Sequence, residues 1–187
     1  MYIWFRMIRM FFIAWLEQRR HGHVGLFETT VFTTRAWPND LDFNVHVNNG
    51  RINTLADLGR MHFFLRTGLL QYALRQGVRP MVGDITSKFR REIKAFDEVV
   101  IHTRLIGWVD KWAFMEHRIV REGRVIANVV MRGMFKGRSG AMAPEVLLSE
   151  FAPDTESHVN DLPDWALDWH RGMEGMSAQL RAEEASL

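Results

Sequence analysis

The strongest constraint on the fold is a helix-length run, residues 49–70, that is apolar on more than one face. Ile52, Leu55, Ala56, Leu58, Met61, Phe63, Phe64, Leu65, Leu69 and Leu70 do not sort onto a single stripe. A helix apolar nearly all round has to be enclosed by other elements. Gly59 sits in its middle, where glycine costs about 1 kcal/mol relative to alanine. One use for it is the close approach of a neighbouring backbone. Residues 71–76 continue the helix or fray, and Gly77 to Pro80 end it.

The flanking segments can supply the enclosure. Residues 26–37 are β-branched and aromatic, with Phe27, Thr29, Thr30, Val31, Phe32, Thr33 and Thr34, and Pro38-Asn39-Asp40 ends them as a turn. After the helix, residues 81–94, 98–109, 111–121 and 124–135 carry strand composition. Asp110-Lys111 and Glu122-Gly123 are placed as hairpin turns, the second more strongly. Strand, long buried helix, then four strands on short connections predicts an α+β fold: an antiparallel sheet wrapped around one central helix.

This core domain spans 26–142, with additions on both sides. In residues 1–25, the first sixteen are apolar and aromatic and are interrupted by Arg6 and Arg9. The run is short of the roughly 20 residues a spanning helix needs. Its charges fall inside rather than ahead of it, unlike a secretory signal. Two readings stand: an amphipathic helix lying on a membrane or a partner subunit, or a helix packed on its own domain. His21-Gly22-His23 and Gly25 then mark a loop. Residues 143–187 begin with a connector rich in proline and acid, to 163, followed by a terminal helix at 164–181 that Gly172 and Gly175 weaken. The length of 187 residues suits one domain with terminal additions, and 47% hydrophobic residues can build a core. A net charge of +2 makes no case for nucleic acid. The absence of cysteine excludes disulfides, thiol catalysis and cysteine-ligated metal. His21 and His23 are two apart, and His46 and His62 are far apart. Neither pair has the spacing that fixes two metal ligands on one helix face.

The chemistry is concentrated where the first strand feeds the helix. From Asp40 to Asn49, ten positions hold two carboxylates, three carboxamides and one imidazole. A helix N-terminus offers unpaired N–H groups and a positive partial charge. A carboxylate beside such a ready-made oxyanion site is what a hydrolytic centre needs. The plainer reading is a helix start capped by Asn48 or Asn49. His46 is either a general base awaiting an orienting partner or a turn residue bonding backbone. Asp57 and Arg60, three apart, can pair. Lys88, Arg90 and Arg91 either hold phosphates or form a solvated strand edge.

Asp40-Leu41-Asp42-Phe43-Asn44-Val45-His46-Val47-Asn48-Asn49, followed by a helix and four strands, resembles the hotdog-fold thioesterases, above all the 4-hydroxybenzoyl-CoA thioesterase-like group. Its D-x-N-x-H-x-N-N run is also similar to the plant acyl-ACP thioesterases. A second patch, Phe89-Arg90-Arg91 with Phe96-Asp97, then Leu105-Ile106-Gly107-Trp108, Lys111 and Phe114, resembles the central strands of that group. The likeness covers about residues 29–135. It implies a hotdog fold and hydrolysis of an acyl-CoA or acyl-carrier thioester. It implies Asp42 as nucleophile or general base, with the amides near Asn49, Gly50 and Arg51 polarising the carbonyl. Asn44 and His46 match the motif's polar pair. Asp57 lies one residue short of the helix acid of the acyl-ACP enzymes. Lys88, Phe89, Arg90 and Arg91 would meet the substrate. No cofactor or metal is implied, and relatives of this kind are homodimers or dimers of dimers with the site at the subunit interface. A cytoplasmic location is expected, with membrane-surface contact through residues 1–16 as an addition. Two rivals remain. One is a non-catalytic acyl-binding or membrane-associated hotdog protein. The other is a hotdog hydratase, whose motif resembles D-x-N-P-x-H; here Asp42 and His46 are four apart with no proline between.

Overall fold

The computed structural model describes residues 2–138, 140–152 and 162–186. Helix α1 (Tyr2–His21) is followed by β1 (Thr30–Arg35), a 3-10 turn at Pro38–Asp40, α2 (Asn49–Thr67) and α3 (Leu69–Arg75). Then come β2 (Arg79–Phe89), β3 (Glu98–Val109), β4 (Trp112–Arg121), β5 (Arg124–Gly137), β6 (Gly140–Met142), α4 (Pro144–Phe151) and α5 (Asp164–Glu184). The strands form one antiparallel sheet in the order β1-β3-β4-β5-β2, with the short β6 paired to the end of β5. Helix α2 lies across one face and touches β1, β3, β4 and β5. The sheet around a central helix is as expected.

Gly59 explains how closely they pack. A Cβ there would lie 2.6 Å from both Ile101 Cγ2 and Thr103 Oγ1 on β3. The first half of α2 buries Ile52, Leu55 and Leu58 against Met10, Phe32, Ile101 and Ile119. Its second half buries Phe63 and Phe64 against Leu105, Met115, Phe135 and Leu147. On the opposite sheet face, Trp112 and Phe114 pack under Leu162, just ahead of α5, and Ala166 in its first turn. Arg132, almost fully buried there, bonds Asp84, His170 and Glu174 and stacks 4.2 Å from the Trp112 ring.

Several boundaries differ from those expected. The long helix does not run unbroken to residue 70 or beyond. Gly68 takes φ 81 and separates α2 from α3, a left-handed conformation that favours glycine. The first strand starts at Thr30, not 26, and the strand expected at 81–94 starts at Arg79 and stops at Phe89. The connector is not all irregular: α4 forms within it, with Pro144 in its first turn and Leu147 and Leu148 buried. Residues 153–161 of that connector lie outside the described residues. The terminal helix runs three residues further, to Glu184, through both Gly172 and Gly175. Helix α1 packs one face on the domain through Met10 and Ala14 and leaves its other face open, so the packed reading holds for one side of the helix only. Its buried Arg6 meets Asp40 at 2.7 Å, and Glu17 meets His62 at 2.9 Å and Arg66 at 3.3 Å.

Candidate active site

The polar junction folds as a small hairpin standing on α2. Leu41 and Val47 bridge, and the Asn48 N–H donates to the Asp40 carbonyl at 2.9 Å. The Asp42 N–H donates to the His46 carbonyl and the Val45 N–H to the Asp42 carbonyl, both at 3.0 Å. Val45 adopts φ 61, uncommon for a β-branched residue. Asn48 is the N-cap: its side chain accepts from the Gly50 N–H at 2.8 Å. The carbonyl of Asn48 takes the Arg51 N–H at 2.8 Å. Of the three amides expected to polarise a carbonyl, those of Gly50 and Arg51 therefore already have acceptors, both from Asn48.

The two aspartates of the motif do different work. Asp40 is 1% exposed; its Oδ2 accepts from the Trp37 N–H at 2.9 Å and from Arg6. It ties α1 to the turn. The Asp42 side chain is 16% exposed and its Oδ1 accepts from the Asn44 N–H at 2.9 Å. Asn44 thus contributes its main chain to the turn, and the residue itself is exposed. The His46 Nδ1 lies 3.6 Å from Asp42 Oδ1 and 3.4 Å from the Val47 carbonyl oxygen, so the imidazole sits beside the carboxylate without a short bond to it.

Two bonds bring the basic segment to this end of the molecule. The Ser87 hydroxyl donates to Asn53 Oδ1 at 2.8 Å, and the Val47 N–H donates to the Ile93 carbonyl at 2.8 Å. Lys88, Phe89, Arg90 and Arg91 lie between these two anchors, and all four are exposed. Asp57 is not gathered into the hairpin. It lies seven residues beyond Gly50, about 10 Å along the helix axis, and pairs with Arg60 at 2.9 Å. Burial raises its carboxyl above the ordinary value and the Arg60 charge opposes that.

Other groups carried no local signal. His117 is fully buried, bonds Thr103 Oγ1 at 3.0 Å and is pushed down to about 3 by burial, with the Arg60 charge adding to it. Burial also lowers His62 against the opposing charge of Glu17. Between the second half of α2 and the sheet lies an apolar cavity of about 100 Å³, open on one side. Met61, Phe63, Phe64, Met115, Met131 and Phe135 line it, with Arg60 at its wall. The apolar composition of α2 pointed to the first three; the strand residues depend on register. Among the described residues no three His, Asp or Glu side chains converge to hold a metal.

An antiparallel sheet wrapped around one helix, with a carboxylate turn at that helix's N-cap, is the hotdog fold. A profile of the Thioesterase-like superfamily matches residues 36–169, and the chain belongs to that family. It is 32% identical over 148 residues to Protein THEM6 of Xenopus laevis, covering 78% of this chain and 69% of that one. It is 28% identical over 118 residues to the thioesterase poxG of Penicillium oxalicum, covering 56% of this chain and 39% of that one. Among solved structures, the probable thioesterase YbaW of Escherichia coli superposes with a TM-score of 0.58 at 21% identity, covering 65% of this chain and 94% of that one. The family match and the thioesterase relative support thioester hydrolysis as the general activity, while the solved structure shows the fold.

Proposed function

We propose that this protein hydrolyses the thioester of an acyl-CoA, or of an acyl group on a carrier protein, with Asp42 as the reacting carboxylate. The observation that carries the reading is the seat of Asp42: a mostly shielded carboxylate, fixed by the Asn44 amide, in a hairpin that stands directly on the N-cap of α2. The substrate carbonyl oxygen takes the acceptor place that Asn48 Oδ1 holds at the Gly50 N–H, assisted by the neighbouring Asn49 amide. Asp42 then either attacks the carbonyl carbon or removes a proton from the water that does. In both routes a C–O bond forms, the charge on the carbonyl oxygen is held by the helix amides, and the C–S bond breaks; in the first route water then cleaves the acyl-Asp42 anhydride to restore the carboxylate, and in both the proton lost by water goes to the departing thiolate. Losing one such donor typically costs about 2.7–4 kcal/mol in the barrier.

The surroundings fit the rest of the substrate. From Gly50 to Met61 the helix rises about 16 Å, which leads from the hairpin to the apolar cavity as a place for the acyl group. Lys88, Arg90 and Arg91 offer cations for the phosphates of CoA, and Phe89 an apolar shoulder. Asp57 serves as the counter-charge of Arg60. Among the described residues no strand pairs with the outer edge of β2, which exposes Met81, Val82, Ile85 and Phe89. An apolar open edge of this kind favours pairing with a second subunit, a homodimer that would close the site.

The test is Asp42→Asn assayed over short, long and aromatic acyl-CoAs. General-base or nucleophile loss predicts kcat/KM lower by about 10²–10⁴-fold, with unchanged thermal unfolding. Near-normal turnover by the variant would overturn the assignment.

A further inference from the structure

Helix α1 is apolar on two opposite sides, and the domain uses only one of them. Met7, Met10, Ile13 and Ala14 face inward. Trp4, Phe5, Ile8, Phe11, Phe12 and Trp15 face out, between 40% and 70% exposed. Their spacing, i, i+1, i+4, i+7, i+8, i+11, is one continuous helix stripe. It runs about 16 Å along the axis. The helix cannot roll to hide it, because the opposite side is fastened by the buried Arg6–Asp40 pair and by Glu17 to His62 and Arg66.

The charges that α1 itself places beside the stripe have one sign. Arg9, Arg19 and Arg20 are exposed, and Arg19 lies 4.4 Å over the Trp15 ring. The helix's sole acid, Glu17, is engaged on the inward side. Between α1 and β1 a shallow depression is bordered by Phe5, Arg9, Arg35, Trp37 and Glu98. There Glu98 partly offsets Arg35, 4.0 Å away. Trp37 meets Phe96 edge-on, and both are exposed, so the apolar surface continues onto the turn ahead of Asp40.

We propose that α1 lies flat on an anionic lipid bilayer, with the aromatic stripe in the headgroup boundary and the three arginines against lipid phosphates. Large aromatic residues on one face with arginines at its flanks is the chemistry of an interfacial helix. Among the described residues no helix is long and apolar enough to cross a membrane. A second copy suits the face less well: apposed stripes would bring the arginines of both copies together with no acid on either stripe to meet them. Arg6 joins α1 to Asp40, two residues from Asp42, so the docking face and the hairpin belong to one rigid unit. The proposal does not depend on what Asp42 does.

Co-flotation of the full chain with vesicles of phosphatidylcholine, with and without phosphatidylglycerol, tests it. Each arginine near an anionic surface strengthens binding by about fivefold, so three predict roughly 100-fold tighter binding to the mixed vesicles. Raising salt to about 1 M shrinks the screening length to about 3 Å and should remove most of that difference. The Trp4→Ser/Phe12→Ser variant, changed only at exposed positions, should keep its thermal transition and lose flotation. Arg9→Gln/Arg20→Gln should lose about 25-fold of the preference for anionic vesicles. Absence of flotation with either vesicle overturns the proposal, as does equal binding to both. A wild-type dimer that Trp4→Ser/Phe12→Ser splits into monomers would also overturn it, by making the stripe a subunit interface.

Discussion

Gly59→Ala sets two effects of opposite sign against each other, and the structure decides which wins. Alanine in a helix interior is favoured over glycine by about 1 kcal/mol. At Gly59 the added methyl would stand 2.6 Å from Ile101 Cγ2 and 2.6 Å from Thr103 Oγ1. Comfortable carbon contacts are about 3.5–4.0 Å, so roughly 1 Å has to be found. Neither neighbour can yield it by turning aside. Both are fully buried on β3, which is flanked by β1 and β4, and β-branched side chains are stiff at χ1. Thr103 is further held by its bond to His117. Helix α2 must therefore lift from the sheet, and overpacking of this kind costs about 1–3 kcal/mol. The net is a loss of up to about 2 kcal/mol, or a fall in Tm of about 2–4 °C for each kcal/mol in a chain of this size. Gly172→Ala is the matched control. It too is helical, but its methyl would meet nothing within 4 Å, so only the gain of about 1 kcal/mol remains. Urea unfolding of the two variants should separate them by about 1–3 kcal/mol. Equal stabilisation of both would refute the close packing of α2 on β3.

Two further substitutions probe the hairpin and the core. Val45 holds φ 61 while 69% exposed, so Val45→Asn loses little packing and relieves roughly 1–2 kcal/mol of left-handed strain; a Tm that falls rather than rises would count against that backbone. His117 titrates near 3 in the folded chain against 6.5 ordinarily, because it is buried near Arg60. Above about pH 6.5 neither state binds the proton and the contribution is fully present. Between about 6.5 and 3 only the unfolded chain binds it, so stability falls by about 1.4 kcal/mol per pH unit as pH drops. Urea midpoints at about pH 7 and 5 should show His117→Gln less acid-sensitive than wild type; identical sensitivity would mean that His117 does not carry the effect.

Much of the fold was legible because its signals are local. The all-round apolarity of residues 49–67 required an enclosure, and the strand composition on both sides supplied one. Glu122 and Gly123 turn with φ 51 and 72, as a tight hairpin requires. Asn48 caps α2 through an oxygen two residues from the amide it holds. What escaped were features whose cause lies far along the chain. Gly68 breaks a helix that its neighbours would continue, where a Cβ would stand 2.7 Å from the His23 ring. Helix α4 is too short to persist on propensity and exists by burying Leu147 and Leu148.

The chain alone determined that a buried helix would be sheathed in antiparallel strands and that carboxylates would gather at its N-terminus. Periodicity and turn chemistry act over a few residues and are written in order. Only the tertiary structure decided which of two apolar stripes on α1 meets the domain, since both satisfy the same helical period. It also decided that Asp40 binds Arg6 while Asp42, two positions on, stays in the hairpin with Asn44 and His46. The Arg132 cluster likewise draws Asp84, His170 and Glu174 from 38 to 48 residues away. Pairings at such separations are selected by how whole layers pack, and no short window of sequence contains that information.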